Sequence, residues 1–266
     1  MNSLLTSAQP QSEPCETIDA ICPKHGGYTA TVTTFHVTDR PTVITSPCQK
    51  CVAERRAEEA AKKREQEAAE RRYKVRTLRE SSRIPARFAD SAFANYSAKE
   101  PGQKMAAGVC KAFADSWPEK EKGGGSLVLT GSPGTGKTHL ACAIGNTVMD
   151  EYLADVLFCT MAVMLRHIKN TYRRDSEKSE QQAINDLVRP GLLILDEVGV
   201  QIGSEHEKLL MFEVLNARYQ DLSPTILISN LDGAELEDFL GHRIMDRYRE
   251  CGSVLAFDWQ SYRGRA

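Results

Sequence analysis

The segment Gly131-Ser132-Pro133-Gly134-Thr135-Gly136-Lys137-Thr138 limits the folds open to this chain more than any other. It matches the pattern G-x-x-x-x-G-K-[ST] in full. The apolar run LVLT (127–130) precedes it and the helix-compatible run HLACAIGNTVMDEY follows. Glycines in such a loop let the backbone turn and present N–H groups to phosphate. The new helix aims the positive end of its dipole at the same place. The expected roles are neutralisation of β- and γ-phosphates by Lys137 and a hydroxyl for Mg²⁺ from Thr138.

Downstream, short apolar runs recur at DVLFCT (155–160), LLILDE (192–197) and TILISN (225–230), with helix-compatible segments between them. This alternation predicts an α/β fold, a parallel sheet flanked by helices. Ligands of such sheets bind beyond the carboxyl ends of the strands, and two functional candidates lie there. Asp196 and Glu197 follow four apolar residues, so one carboxylate is available for Mg²⁺ and the other for orienting an attacking water. Asn230, after Ser229, is suited to positioning water and sensing a γ-phosphate, or equally to capping the next helix. Upstream, Met105, Val109 and Phe113 recur at helical spacing and predict a helix over 102–117.

The first eighty residues have a different character. Residues 1–20 are polar and read as a disordered tail. Cys22 and His25 form one C-x-x-H pair, and Cys48 and Cys51 form a C-x-x-C pair. Thiolate and imidazole in two such pairs suit a tetrahedral, closed, structural Zn²⁺ site. The alternative is a tail with incidental thiols. Residues 21–51 are therefore expected to be a small zinc-binding module stabilised by its metal, with a strand near TATVTTFHV (29–37). Cys15 and His36 lie outside the favoured pairing. Residues 52–82 form a charged linker, which carries ten basic and seven acidic residues over 52–80 and is rich in Ala, Glu, Lys and Arg. It is expected to be a long exposed helix, either a solvated spacer or a binding arm. Cys110, Cys142, Cys159 and Cys251 sit in apolar surroundings and read as buried thiols.

Lys and Arg total 34 against 36 Asp and Glu, a formal net charge of −2. A wholly basic nucleic-acid coat is excluded, and any such contact needs a local patch. The stretch Met164–Arg174, with Arg166, Lys169, Arg173, Arg174 and the aromatic Tyr172, is one candidate for single-stranded DNA; a solvated helix face is the other reading. No apolar run approaches the roughly 18–20 residues that span a bilayer, and no signal peptide is evident. A cytoplasmic location without membrane contact is expected.

The phosphate loop, the Asp-Glu pair and the strand-tip Asn, in this order, resemble the AAA+ ATPases. The stretches Leu195–Gln201, Leu240–Arg247 and Phe257–Arg263 narrow the resemblance to the DnaC-type bacterial replicative helicase loaders, prophage-encoded relatives included. It covers about residues 81–265 and leaves out the cysteine-bearing N-terminus. It implies an AAA+ core over 83–266 ending in a short helical and strand segment, binding and Mg²⁺-dependent hydrolysis of ATP, and loading of a DnaB-like replicative helicase onto single-stranded DNA. It further implies homo-oligomers on helicase or DNA. Arg247 matches the family's finger, which reaches a neighbouring subunit's γ-phosphate, with Arg243 beside it. Arg263 matches an arginine proposed as a second sensor of the subunit's own nucleotide. The alternative within the same core is an IstB-like transposition helper ATPase.

Overall fold

The computed structural model describes residues 16–35, 42–200 and 204–262. Cys15, His36, Gln201 and Arg263 lie outside the described residues. The chain divides into two compact units, 1–71 and 72–266.

In the first unit, β1 (Glu16–Cys22), β2 (Gly26–Phe35) and β3 (Thr42–Thr45) form an antiparallel sheet in the order β1-β2-β3. β1 starts inside the stretch expected to be a tail, so that expectation is corrected from Glu16 onward. The stretch ETIDAIC is short and mostly exposed, so its strand depends on pairing with β2 from Glu16↔Val32 to Cys22↔Gly26. Helix α1 (Gln49–Ser81) begins in this unit and ends in the second, with none of its residues buried. Ala, Glu, Lys and Arg supply its propensity, and it lacks an apolar stripe.

The second unit carries α2 (Pro101–Asp115), α3 (Trp117–Gly123), β4 (Ser126–Gly131), α4 (Lys137–Tyr152), β5 (Val156–Thr160), α5 (Met161–Lys169) and α6 (Glu180–Val188). Then follow β6 (Leu192–Val198), α7 (Glu205–Gln220), β7 (Thr225–Ser229), α8 (Gly233–Leu240), α9 (His242–Glu250) and β8 (Gly252–Phe257). The five strands form one parallel sheet in the order β5-β6-β7-β4-β8. Each expected strand is present. β8 is the strand of the expected short C-terminal segment, and it adds a fifth strand beside β4.

Strand residues alternate between the two faces, as a period of two requires. Leu127, Leu129, Ile194, Ile226 and Ile228 pack with α2 and α4. Val128, Leu193, Leu195 and Leu227 pack with α5, α6, α7, α8 and α9 on the other side. Met105 does not join α2's buried face; it is 59% exposed, while Ala106, Cys110 and Phe113 turn inward. Cys110, Cys142 and Cys159 are buried free thiols, and Cys251 is half-buried. Among the described residues no helix is long and apolar enough to cross a membrane.

Arg218 on α7 is fully buried. Its Nη1 donates to the carbonyls of Leu187, Val188 and Pro190 at 2.8–3.0 Å. Nη2 donates to Pro224 O at 2.6 Å and Nε to Thr225 Oγ1 at 2.9 Å. The last carbonyls of a helix lack intrahelical donors. This guanidinium therefore closes the end of α6 and ties it to the start of β7. Burial pulls its pKa down to about 10.

Candidate functional site

β4 ends at the phosphate loop and α4 starts at Lys137, so the loop sits at the carboxyl edge of the sheet. Gly131, Gly134 and Gly136 all have positive φ. At two of them a side chain would also collide: a Cβ on Gly131 would lie 2.4 Å from Phe257 O, and one on Gly136 would lie 2.6 Å from the Tyr96 ring. Lys137 is 4% exposed and donates to Gly131 O at 2.6 Å and Ser132 O at 2.8 Å. Ser132 O also accepts from Thr135 Oγ1 at 2.8 Å.

A cavity of about 580 Å³ opens above the loop, within the range of small-molecule sites. Pro133, Gly134, Thr135, Gly136, Lys137, Thr138, Asp196, Glu197 and Asn230 all line it. Thr138 Oγ1 donates to Asp196 Oδ2 at 2.9 Å, so the hydroxyl and carboxylate expected to hold Mg²⁺ already face each other. Burial raises the pKa of Asp196, opposed by the Glu197 N–H at 2.7 Å and the Thr138 hydroxyl.

Adjacent residues of a regular strand point to opposite faces, yet Asp196 and Glu197 both reach this cavity. The pairing of β6 with β7 explains it. Leu195 pairs Leu227 and Val198 pairs Ser229, so two residues of β6 face one of β7, a bulge. Glu197 adopts φ +59° within it. A non-glycine residue in the left-handed region costs about 1–3 kcal/mol, and such strain gathers at functional sites. Asn230 is exposed at the tip of β7. Asp232, not Asn230, caps α8, accepting the Ala234 and Glu235 N–H groups at 2.9 Å. The capping alternative for Asn230 is therefore set aside.

Three groups of this wall were not read from the sequence. Tyr96, in the segment ahead of α2, reaches Thr135 O with its hydroxyl at 3.4 Å, and burial pushes its pKa to about 12. Trp259 Nε1 donates to Thr135 O at 2.9 Å, and the Tyr262 N–H donates to Gly134 O at 2.9 Å. Nothing in their spacing points at the loop; only the parallel placement of β8 beside β4 carries the C-terminal residues there.

Arg247 does not line this cavity. It donates to Asn216 Oδ1 and lies 5.0 Å from the centre of the Tyr219 ring. Arg243 is exposed and stacks on Phe212 at 5.9 Å. In the basic stretch after β5, Leu165 and Ile168 are buried. Lys169 pairs with Glu207, His167 with Asp186 and Arg173 with Asp175. Tyr172 bonds Glu180 and, at 2.9 Å, His206.

In the first unit, Cys22, His25, Cys48 and Cys51 converge, with all four ligand atoms within 4.8 Å of one another. Cys22 Sγ lies 3.4 Å from Cys51 Sγ; His25 Nδ1 lies 3.8, 3.7 and 3.3 Å from the sulfurs of Cys22, Cys48 and Cys51. Tetrahedral Zn²⁺ with bonds of about 2.0–2.3 Å needs ligand separations of roughly 3.4–3.8 Å, so the donor set fits. The β1–β2 turn supplies the first pair, with Gly26 at φ +80°. The start of α1 supplies the second, where the adjacent Cys22 sulfur pushes the Cys51 pKa up to about 11. His25 Nε2 faces Glu54 Oε1 at 3.0 Å, which orients Nδ1 toward the sulfurs. The backbone N–H groups of Lys24 and His25 lower the Cys22 pKa to about 6. Glu54 escaped the sequence reading because it lies among many similar glutamates.

The family described as IstB-like ATP binding protein matches residues 59–266. The replicative helicase loader DnaC of Buchnera aphidicola subsp. Baizongia pistaciae is 35% identical over 177 residues, 66% of this chain and 70% of that protein. The DnaC loader of Escherichia coli (strain K12) is 36% identical over 174 residues, 65% of this chain and 69% of the loader. A crystal structure of the DnaC helicase loader superposes with a TM-score of 0.59 at 22% identity, covering 65% of this chain and 99% of that one. The parallel sheet of the second unit is accordingly the AAA+ core. The chain therefore belongs to the IstB-like ATP-binding protein family, alongside the DnaC-type replicative helicase loaders.

Proposed function

We propose that the chain is an ATP-dependent loader that places a DnaB-like replicative helicase on single-stranded DNA and hydrolyses ATP in doing so. The observation that carries this reading is the gathering of Lys137, Thr138, Asp196, Glu197 and Asn230 on one cavity, in a chain whose relatives at 33–36% identity are DnaC loaders. Those relatives favour the loader over the transposition helper. Co-purification with the replicative helicase is the expected outcome of a pull-down. Capture of a transposase instead would overturn the partner assignment.

In this reading the loop N–H groups and Lys137 bind the phosphates, and Thr138 with Asp196 holds Mg²⁺, which when bound supplies Lewis-acid charge neutralisation at the phosphates. Glu197 orients the attacking water and takes up its proton, and Asn230 fixes that water against the γ-phosphate. Arg247, set away from its own cavity, acts across a subunit boundary in the assembled oligomer, and Arg263 serves the nucleotide of its own subunit. Exposed Arg166 and Arg174 are the cations offered to a DNA strand.

Glu197→Gln should bind ATP as the wild type does yet turn over at least roughly tenfold more slowly, a barrier increase of about 1.4 kcal/mol. The shape of the residue and the phosphate cradle stay, while the carboxylate is lost. Single-turnover hydrolysis measures this, and an unchanged rate would assign the water to another residue.

The first unit is proposed to bind one structural Zn²⁺ through Cys22, His25, Cys48 and Cys51. Purified protein in reducing buffer should carry close to one zinc per chain by elemental analysis. Cys22→Ser and Cys48→Ser should each lose it, with loss of the β1-β2-β3 sheet signal. Full zinc retention in both variants would remove the assignment.

A further inference from the structure

The carbonyls of Gly134 and Thr135 are both held by the segment that follows β8. Trp259 Nε1–H takes Thr135 O and the Tyr262 backbone N–H takes Gly134 O, each at 2.9 Å. The described peptide bonds include none that is cis. In a trans peptide the C=O and the next residue's N–H point in opposite directions. Fixing these two carbonyls therefore fixes the N–H groups of Thr135 and Gly136 on the side of the loop away from the strap.

The strap itself is firmly seated. Trp259 is 8% exposed, its ring centroid lies 4.7 Å from that of Phe257, and its edge rests over Gly102 of α2, where a Cβ would meet it at 3.3 Å. Phe257 ends β8, which pairs with β4 up to Gly131↔Phe257. The sheet thus positions Trp259, and Trp259 positions the loop. Left alone, a glycine-rich turn samples many peptide orientations, since glycine tolerates both signs of φ. Binding would then carry the cost of ordering it.

We infer that Trp259 and Tyr262 are positioning residues of the phosphate loop, which hold the Thr135 and Gly136 N–H groups aimed at the α- and β-phosphates of the nucleotide. This rests on the ATP-binding reading of the cavity. Loop N–H groups of this kind cradle the α- and β-phosphates, so the strap acts on every nucleotide that carries both. It has no bearing on a nucleoside without phosphate.

The test is calorimetric titration of the full-length protein and two variants with ATP, ADP and adenosine. Trp259→Phe keeps one aromatic ring beside Phe257, removes the Nε1–H donor and also shortens the indole that rests over Gly102. Tyr262→Pro removes the other donor at a residue that is 67% exposed. Each variant should bind ATP and ADP about tenfold more weakly, the scale of one hydrogen bond. The ATP-to-ADP affinity ratio and the adenosine affinity should stay unchanged in both variants, and nucleotide-free Tyr262→Pro should melt at the wild-type temperature, whereas Trp259→Phe loses some packing. Wild-type affinity for ATP in both variants would overturn the inference while leaving the ATP site intact. An equal loss for ATP, ADP and adenosine, or a lowered melting temperature in both variants, would overturn it in favour of a purely structural strap. Failure of the wild type to bind ATP would remove the nucleotide reading, and the inference with it.

Discussion

Lys137→Ala should lower ATP affinity at least hundredfold, about 2.7 kcal/mol. Two effects act together. The substitution deletes the buried cation proposed to face the phosphates, a charge-assisted contact stronger than a neutral hydrogen bond. It also releases Gly131 O and Ser132 O, which Nζ holds at 2.6 and 2.8 Å, so the loop loses an internal tie as well as a ligand contact. The α4 helix and the sheet keep their packing, because Lys137 contributes polar contacts and not core volume. Titration calorimetry with ATP checks the result, and an affinity within threefold of wild type would refute it. Zinc content should be unaffected, since its four proposed ligands all lie in the first unit.

Arg218→Met should destabilise the second unit by about 4 kcal/mol. Methionine fills most of the volume but donates nothing. Four backbone carbonyls and the Thr225 hydroxyl would lose their donor inside the protein. Each buried acceptor left unsatisfied costs about 1–3 kcal/mol, less when neighbours relax together. The end of α6 would also lose the cation that its dipole favours. For a unit of this size the melting temperature should fall by about 10 °C. Arg218→Lys should recover little, since an ammonium cannot reproduce the planar fork. Thermal unfolding followed in the second unit measures it, and a shift under 2 °C would show that water replaces the guanidinium without penalty.

The phosphate loop, the sheet class and the meeting of Cys22, His25, Cys48 and Cys51 were legible because their chemistry is local. G-x-x-x-x-G-K-T sets its own strand-to-helix geometry. The runs 155–160, 192–197 and 225–230 declare buried strands by composition, and C-x-x-H with C-x-x-C places two ligands per turn without reference to the rest of the fold. Arg218 was not legible. As an arginine on a helix that mixes charged and apolar residues it reads as a surface charge, and only the meeting of α6, α7 and β7 gives it five acceptors. Met105 failed the other way: helical spacing was right, but the buried face is set by what α2 packs against. Glu54 was one glutamate among many until the fold set it against His25.

By itself, then, the sequence determined that a phosphate loop opens an α/β sheet, that carboxylates stand at a later strand end, and that four metal-type ligands lie in two spaced pairs ahead of a long charged stretch. The tertiary structure alone decided that Asp196 and Glu197 share one cavity. A strand's alternation sends neighbours to opposite faces, and only the bulge formed against β7 cancels it. It alone also brought Trp259 to Thr135, 124 residues away in the chain. Local spacing carries no information over that distance. The approach is fixed by strand order, because β8 runs parallel to β4 up to Gly131↔Phe257 and so delivers the residues after it beside the phosphate loop.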